Sequence, residues 1–439
     1  MLKVAVIADD LTGAADTGVL FVPVVEEMRL LTAAQFGAFN GKRVLNGIAV
    51  CTDSRSMARD EAGRAVAQIA ECLKAAGVEL IYKKIDSCLR GHVGIELLRL
   101  LDVCERRGAL VAPAYPRLGR TTVNNIHYVM GVPVAQSEAG DDPVRPVASS
   151  LLSENLALGH AEPVGFVGIS ALAGDEAALV EAVNQELGKG RRLIAVDAAT
   201  DEDLDLIADT ALKFFPDLIL SGSAGLAQAI AARLVSPTGR EYGCGRQDDL
   251  SGLSLAPSPI LFVGGSASLV LRTQLETLAQ EHGLTIRTLE AHAVLRGLAA
   301  SEKRELAAQL AADNLIICLS PPDPGQERLP SQPLALALGR LAADLALERS
   351  AALSAVFASG GDTAQAVLDN LGNPEIIINC ELAPGFIVST LNSGPCAGLR
   401  FLTKSGSFGD PAMLSAVYSR LRRQTPEPGS SARTSAAVE

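Results

Sequence analysis

The sequence predicts an α/β protein of two domains, each a mainly parallel sheet flanked by helices, with an active-site cleft between them. Three observations support this fold class. Apolar runs of strand length alternate with helical patterns along most of the chain. The 439 residues exceed the size of one ordinary domain. A segment rich in Gly, Ser, Pro and charge, at 234–257, interrupts the alternation and predicts an interdomain linker.

The first domain is expected to span residues 1–233. Its continuous apolar runs are typical of strands that are buried on both faces. These runs lie at 3–8, 46–51, 79–84, 108–112, 163–168, 192–197 and 216–220, with helical patterns at 60–76, 174–188 and 201–214. Thr200 is a favourable N-cap for the last of these helices, because acidic residues follow it in the first turn.

The same alternation resumes after the linker and predicts a second domain at 258–424. Strands are expected at 259–264, 284–289, 314–319 and 354–358, helices at 268–282, 302–312, 333–348 and 364–371, and a mainly extended stretch at 374–404. The final residues, 425–439, are small, polar and proline-containing, a composition that predicts a disordered tail.

Composition and charge exclude several classes of function. A formal net charge of −12 disfavours a nucleic-acid-binding protein, which needs a broad basic surface. The eight cysteines form no CxxC pair, which favours reduced thiols over disulfides or a zinc site. The N-terminal apolar stretch is shorter than a signal-peptide core, and no run approaches the roughly 20 apolar residues of a membrane helix. We therefore expect a soluble cytoplasmic protein that binds neither nucleic acid nor membrane, and a homodimer is compatible with the sequence.

Two adjacent carboxylates, Asp9 and Asp10, directly follow the first predicted strand. Ligands of open parallel sheets gather beyond the carboxyl ends of the strands. There the carboxylates could accept hydrogen bonds from substrate hydroxyls, hold a cation through water, or act as a base. An alternative is that one Asp caps the following helix, since Asp10 and Thr12 are both good caps. The two interpretations are compatible with each other.

A cluster of charge follows another apolar strand. The segment KKIDSCLRGH at 83–92 contains Lys84, Asp86 and Arg90. Arg90 could hold a carboxylate by two parallel hydrogen bonds, and Lys84 could neutralise a phosphoryl or carboxylate oxygen. A solvated charged loop is the alternative. Arg55, at the end of a third strand, offers another guanidinium among residues that are otherwise ordinary in turns.

The segment PAYPRLGRTT at 113–122 adds two arginines, Arg117 and Arg120, which are expected to extend a cationic pocket. His127 follows without a metal-ligand partner at a recognisable spacing. A structural histidine is therefore favoured over a catalytic one.

Glycine-rich loops mark the second half of the chain, at 262–268, 357–363 and 404–410. The first two lie between a predicted strand and a helix, where exposed backbone N–H groups and the helix dipole favour phosphate. Neither GxxxxGK[ST] nor GxGxxG occurs. A plain tight turn would explain any one of these loops, but three in one half favour a phosphate site.

Several of these segments together resemble the four-carbon acid sugar kinase family, which includes 3-oxo-tetronate, D-threonate and D-erythronate kinases. The matching motifs are DDLTGA at 9–14, KKIDSCLRGH at 83–92, PAYPRLGRTT at 113–122, GGDT at 360–363 and TKSGSFG at 403–409. They occur in the order typical of the family. Cys88 stands where the family commonly has Thr, and the segment 51–55 is looser than usual.

The resemblance implies a sugar-acid-binding N-terminal domain and a nucleotide-binding C-terminal domain. It implies transfer of the γ-phosphoryl group of ATP to the terminal hydroxyl of the sugar acid, with Mg²⁺ bridging the phosphates. By motif match, ATP should contact Ser266 or Ser268, the GGDT residues Gly360, Gly361, Asp362 and Thr363, and Gly406.

Within this framework we expect Arg90 to hold the sugar-acid carboxylate, with help from Arg55 or Lys84. Asp10 or Asp86 would orient the terminal hydroxyl and accept its proton. The complete substrate-binding set would be Asp9, Arg55, Lys84 and Arg90. The linker would let the domains close and exclude water. Two alternatives are left open: a nucleotide-dependent dehydrogenase or isomerase, and a non-catalytic sugar-acid or nucleotide sensor.

Overall fold

The computed structural model describes residues 3–37, 46–142, 144–235, 255, 258–265, 268–320, 329–406 and 408–423. The linker predicted at 234–257 lies almost entirely outside these ranges, and so does the tail predicted at 425–439. Within them the alternation of strands and helices is confirmed, and the predicted strands and helices all form.

The strands of the described residues are β1 (Val4–Ala8), β2 (Met28–Thr32), β3 (Gly47–Cys51), β4 (Leu80–Lys84), β5 (Gly108–Ala112), β6 (Arg120–Val123), β7 (Ile126–Val129), β8 (Val132–Pro133), β9 (Val164–Val167), β10 (Leu193–Val196), β11 (Leu218–Gly222), β12 (Ile260–Gly264), β13 (Thr285–Leu289), β14 (Leu315–Leu319), β15 (Ala355–Ser359), β16 (Ile376–Ala383), β17 (Phe386–Leu391) and β18 (Arg400–Lys404).

The helices of the described residues are α1 (Leu11–Gly18), α2 (Ala33–Gly37), α3 (Arg59–Ala75), α4 (Val93–Cys104), α5 (Leu152–Ala157), α6 (Ile169–Leu172), α7 (Glu176–Gly188), α8 (Asp201–Phe214), α9 (Ala224–Leu234), α10 (Leu269–His282), α11 (Ala291–Arg296), α12 (Ala300–Ala312), α13 (Ser331–Arg349), α14 (Gly361–Asn370) and α15 (Met413–Arg423). None of them combines the length and hydropathy that a membrane-spanning helix needs.

One 15-stranded sheet runs through the described part of both halves, in the order β13-β14-β12-β15-β18-β17-β16-β2-β3-β1-β4-β11-β5-β10-β9. In this order, the N-terminal strands β2, β3, β1, β4, β11, β5, β10 and β9 are all parallel. The C-terminal strands β13, β14, β12, β15 and β18 are also parallel to one another. Strands β1, β3, β5, β11, β12 and β15 are buried at every residue, as expected for strands that helices cover on both faces.

The two halves of the sheet join where β16 pairs antiparallel with β2, with Ile376–Ile378 opposite Met28–Leu30. An ion pair of 2.6 Å between Arg29 Nη1 and Glu375 Oε2 lies beside this junction. The extended stretch predicted at 374–404 thus becomes β16, β17 and β18, and its first strand joins the two domains. Sequence reasoning identified neither β2 nor this continuity.

A buried polar chain ties together the loops that follow β1, β3 and β4. Adjacent residues of a strand point to opposite faces, so Lys83 points towards α4 while Lys84 points towards α1. Lys83 Nζ lies 2.7 Å from Glu96 Oε2, and both side chains are almost fully buried. Ser54 Oγ donates to Glu96 Oε1 at 2.7 Å, and Thr52 Oγ1 donates to the carbonyl of Ala8 at 2.9 Å. The hydroxyl oxygens of Thr52 and Ser54 lie 2.8 Å apart.

We expect Glu96→Ala to lower the free energy of unfolding by about 3–5 kcal/mol, because it leaves the Lys83 ammonium buried without its counter-charge. Urea denaturation followed by circular dichroism measures the change. The double variant Lys83→Met/Glu96→Leu should recover most of the loss, because it removes both charges.

Glu176→Ala is a matched control, since Glu176 pairs with Lys213 on the surface at 2.8 Å. It should cost less than about 1 kcal/mol. A loss of similar size from Glu96→Ala and from this control would contradict the interpretation.

Candidate active site

The loop after β1 places Asp9 against Arg55. The Asp9 side chain is almost fully buried, and Arg55 donates to it through Nε at 2.8 Å and through Nη2 at 3.0 Å. Burial would raise the pKa of Asp9, but the Arg55 guanidinium outweighs it and holds that pKa below its ordinary value. Asp9 is therefore a fixed carboxylate that anchors the neighbouring loop.

Asp10 is the N-cap of α1 and also faces the cleft. Its Oδ1 accepts the Gly13 N–H at 3.0 Å, and its Oδ2 accepts the Thr12 hydroxyl at 2.7 Å. Arg55 Nη2 lies 3.0 Å from Oδ1. The capping interpretation is thus correct, and it leaves the outer edge of Oδ2 turned towards the second domain.

Asp86 and Arg90 form a bidentate pair in the loop after β4. Arg90 donates to Asp86 through Nε at 2.7 Å and through Nη2 at 3.0 Å, and its Nη1 donates to Asp142 Oδ2 at 3.2 Å. Although burial opposes it, this guanidinium holds the pKa of Asp86 well below its ordinary value. Asp86 is therefore a poor proton acceptor, and Arg90 keeps only part of its N–H groups for a ligand.

Lys84 lies over the first turn of α1 at Gly13, which has no side chain. Its Nζ is 3.0 Å from the position that a Cβ on Gly13 would occupy, so glycine is needed for this approach. Burial would lower the pKa of the Lys84 ammonium, but the charges of Asp16 and Asp10 outweigh it and raise that pKa. Lys84 is not committed to a hydrogen bond or ion pair in the described part of the chain.

Asp16 is a residue of α1 whose charge acts on the Lys84 ammonium, and no role was predicted for it from the sequence. Burial, more than any neighbouring charge, raises the pKa of its carboxyl to about 6. The signal that could have identified it is spacing, since Asp10, Gly13 and Asp16 are three residues apart and share one face of the helix. The charges of Lys84 and Asp16 thus face each other at the edge of the candidate site.

Helix α14 brings the GGDT segment to the opposite side of the cleft. Gly360 is its N-cap, with φ of +98°, a conformation that favours glycine. A Cβ on Gly361 would lie 3.2 Å from Asp10 Oδ2 and 3.5 Å from Thr12 Oγ1. The N-termini of α1 and α14 therefore face each other across a gap that only a missing side chain keeps open.

The other glycine-rich loops lie beside GGDT. A Cβ on Gly265 would come within 1.9 Å of Thr363 Oγ1, so the loop after β12 rests directly on the buried Thr363. Ser268 is the N-cap of α10, whereas Ser266 lies outside the described residues. Gly406 is buried just after β18, beside Lys404, whose Nζ donates to the carbonyl of Ser405 at 2.6 Å.

The structure contradicts the prediction for Arg117 and agrees with the prediction for His127. Arg117 is largely exposed and pairs with Asp201 at 2.7 Å, so its predicted contribution to a cationic pocket is wrong. The reason is that a 3-10 turn, Pro116–Leu118, carries it to the surface. His127 is buried, with Nδ1 2.9 Å from Thr122 Oγ1 and Nε2 2.8 Å from the carbonyl of Ser87. Burial lowers its pKa to about 4, as expected for a structural histidine.

Two carboxylates, Asp10 and Asp362, stand at the facing N-termini of α1 and α14. Burial and, after it, the charge of Asp10 raise the pKa of Asp362. No group of three or more His, Cys, Asp or Glu side chains is arranged as a metal site in the described ranges. Mg²⁺ commonly takes one or two carboxylates, with waters and substrate phosphates as its other ligands.

Comparison with known proteins agrees with this division of the site. A family model described as a sugar-binding N-terminal domain matches residues 4–230, and one described as a nucleotide-binding C-terminal domain matches residues 261–414. A D-threonate kinase of Bordetella bronchiseptica is 32% identical over 96% of this chain and 98% of its own. A D-threonate kinase of Salmonella typhimurium is 30% identical over 95% and 98%. A D-erythronate kinase of Heliobacterium modesticaldum is 28% identical over 93% and 95%.

Solved structures share the fold. A Haemophilus influenzae protein aligns with a TM-score of 0.71 at 21% identity, over 95% of this chain and 100% of its own. A Salmonella typhimurium protein aligns with a TM-score of 0.77 at 21% identity, over 97% and 99%. Taken with the matched domains and the kinase relatives, the facing helix N-termini lead to one conclusion: the protein is a kinase, and it belongs to the four-carbon acid sugar kinase family.

Proposed function

We propose that the protein transfers the γ-phosphoryl group of ATP to the terminal hydroxyl of a four-carbon sugar acid, namely threonate, erythronate or a 3-oxo-tetronate. One observation carries the proposal: Gly361, at the N-terminus of α14, directly faces Asp10 at the N-terminus of α1. A phosphate on α14 would lie next to a carboxylate that can orient a hydroxyl. Kinases of these acids among the relatives support the substrate class.

The nucleotide side of this proposal uses α14 as the phosphate site. Free N–H groups and the positive end of the helix dipole at Gly361–Thr363 stabilise phosphoryl oxygens. Gly360 and Gly361 lack side chains that would fill this space. Asp362 would hold the magnesium ion, which when bound neutralises charge on the phosphates.

On the sugar-acid side of the site, the proposal uses the cations whose N–H groups are not all paired with protein acceptors. Lys84 contributes a full positive charge beside α1, and Arg90 contributes the N–H groups that Asp86 and Asp142 do not occupy. Arg55 is nearly consumed by Asp9 and Asp10, so it supports the site more than it binds substrate. The sugar-acid carboxylate is therefore held by Lys84 and Arg90 together.

Asp10 is a better acceptor for the hydroxyl proton than Asp86. The bidentate Arg90 pair and two backbone N–H groups at 3.3 Å occupy Asp86 and stabilise its ionised form. Asp10 Oδ2 instead accepts one hydrogen bond, from Thr12, and faces Gly361. Its place beside the phosphate site lets it orient the hydroxyl and take its proton as the phosphoryl group transfers.

A coupled assay of ADP release over erythronate, threonate and their 3-oxo forms tests the proposal. We expect ADP release that depends on both Mg²⁺ and one or more of these acids. A protein that binds a sugar acid in calorimetry yet releases no ADP with any of them would be a sensor, and the proposal would be wrong.

Asp10→Asn should lower kcat by about 10²- to 10⁴-fold with little change in KM for the sugar acid, because the base is lost. Asn caps helices as well as Asp does, so α1 and the melting temperature should be preserved. Asp60→Asn, in the exposed first turn of α3, is the matched control and should leave kcat unchanged. A kcat within threefold of wild type for Asp10→Asn would exclude Asp10 as the base.

Arg90→Ala should raise KM for the sugar acid and lower kcat/KM by about 10- to 150-fold, as expected for the loss of charge-assisted hydrogen bonds. KM for ATP should change little. The exposed Arg117→Ala is the control. If Arg90→Ala left both kcat and KM at wild-type values, the assignment of the carboxylate to this arginine would fail.

Gly361→Ala should reduce kcat/KM for ATP without a large loss of stability, because the added Cβ would occupy the gap at 3.2 Å from Asp10. Gly188→Ala is the control, because a Cβ there meets nothing within 4 Å. Steady-state kinetics and thermal unfolding of both variants distinguish a blocked phosphate site from a disturbed fold. Wild-type kinetics for Gly361→Ala would contradict the placement of phosphate on α14.

A further inference from the structure

Lys404 is a buried cation without a carboxylate partner in the described part of the chain. The residue is 1% exposed, and its Nζ donates to the backbone carbonyls of Ser405 at 2.6 Å, Gly406 at 3.4 Å and Phe408 at 2.8 Å. The other two buried lysines of the site differ from it. Lys83 pairs with Glu96, and the carboxylates of Asp16 and Asp10 flank Lys84.

The charged groups on the elements around Lys404 are already engaged or lie apart from it. Asp362 stands in the first turn of α14 and forms no ion pair with Lys404 in the described part of the chain. Glu381 of β16 accepts the Gly385 N–H at 2.7 Å, and Asp410 accepts the Ala412 N–H at 2.8 Å. Burial alone lowers the pKa of Lys404, to about 8. An ammonium that is buried without a counter-ion is costly, so its presence indicates an anion supplied from outside the chain.

Lys404 also lies where the glycine-rich loops of the second domain meet. Its backbone carbonyl accepts the Gly360 N–H at 3.1 Å and the Ser359 hydroxyl at 3.3 Å, which fixes the turn into GGDT. Its ammonium fixes the backbone after β18. Gln274 of α10, the helix that follows the loop after β12, donates to the carbonyl of Phe408 at 3.0 Å.

We propose that Lys404 is a positioning residue of the nucleotide site, whose ammonium orders the backbone at Ser405, Gly406 and Phe408 and supplies the positive charge that a nucleotide polyphosphate compensates. This inference rests on the proposed ATP-dependent function and adds a residue and a charge requirement to it. A neutral donor could satisfy three carbonyls, as the Gln274 amide does for Phe408. The charge is therefore the feature that needs a separate explanation, and the polyphosphate is the anion that the reaction brings to these loops.

Isothermal titration calorimetry of ADP and of adenosine, without sugar acid, tests the proposal at pH 7 and pH 9. Wild-type affinity for ADP should fall by up to about tenfold between the two pH values, because an ammonium with a pKa near 8 loses its proton in this range. Adenosine has no phosphates, so its affinity should not change with pH.

Lys404→Met should weaken ADP binding at pH 7 by at least about tenfold and abolish the additional pH dependence, leaving only the small effect of the phosphate groups' own titration. Lys404→Arg keeps the charge and should retain most of the affinity, with no loss at pH 9. KM for the sugar acid should be unchanged in the Arg variant. If Lys404→Met does not fold, the pH dependence of ADP affinity relative to adenosine affinity in the wild-type protein still tests the inference.

Three outcomes would overturn the inference. If Lys404→Met weakened the binding of ADP and of adenosine equally, Lys404 would only hold the loop in place, and its charge would have no role in nucleotide binding. An ADP affinity that is the same for wild type and Lys404→Met would remove the residue from the nucleotide site while leaving the proposed function intact. A wild-type protein that binds no adenine nucleotide would end both proposals.

Discussion

The candidate active site depends on the antiparallel pairing of β2 with β16. Each half of the chain alone ends its parallel strands in glycine- and charge-rich loops, which is ordinary for α/β domains. The pairing of Met28–Leu30 with Ile376–Ile378 fixes the position of the two sheets relative to each other. This brings α1 of one half against α14 of the other, so that Asp10 and Gly361 meet. This short strand pair thus sets how Asp10 and Gly361 face each other.

Charge balance is the second constraint on the site. Two arginines are committed to carboxylates of the protein, Arg55 to Asp9 and Arg90 to Asp86, and these pairs stabilise loops that would otherwise repel one another. Lys84 and Lys404 come from different halves of the chain, and neither forms an ion pair with a carboxylate in the described residues. In the proposed function, Lys84 holds a small carboxylate and Lys404 compensates a polyphosphate. A protein with a net charge of −12 would then bind two anionic substrates, because the local field at these cations differs from the overall one.

The sequence predicted those parts of the structure that depend on local pattern. Apolar runs placed the strands, and the residues after them, Asp10, Lys84 and Gly361, were found at the carboxyl ends where parallel strands place ligands. What the sequence could not predict depends on long-range pairing. The partner of Lys83 is a helical Glu96, and the strand that joins the sheets looks no different from its neighbours. Arg117 shows the converse, since a motif residue adjoining the site can still point to solvent.

The same geometry bears on how substrates enter. A linker that closes two separate domains was the expectation from composition, but β2 and β16 already hold the described parts of both domains in one sheet, and Asp10 already faces Gly361 closely. A substrate that enters between Asp10 and Gly361 would therefore have to move the walls apart rather than together. In the described residues, the pairing of β2 with β16 is the strand pairing that crosses between the domains. Such an opening would therefore act on its three paired residues in each strand and on the adjoining ion pair of Arg29 with Glu375.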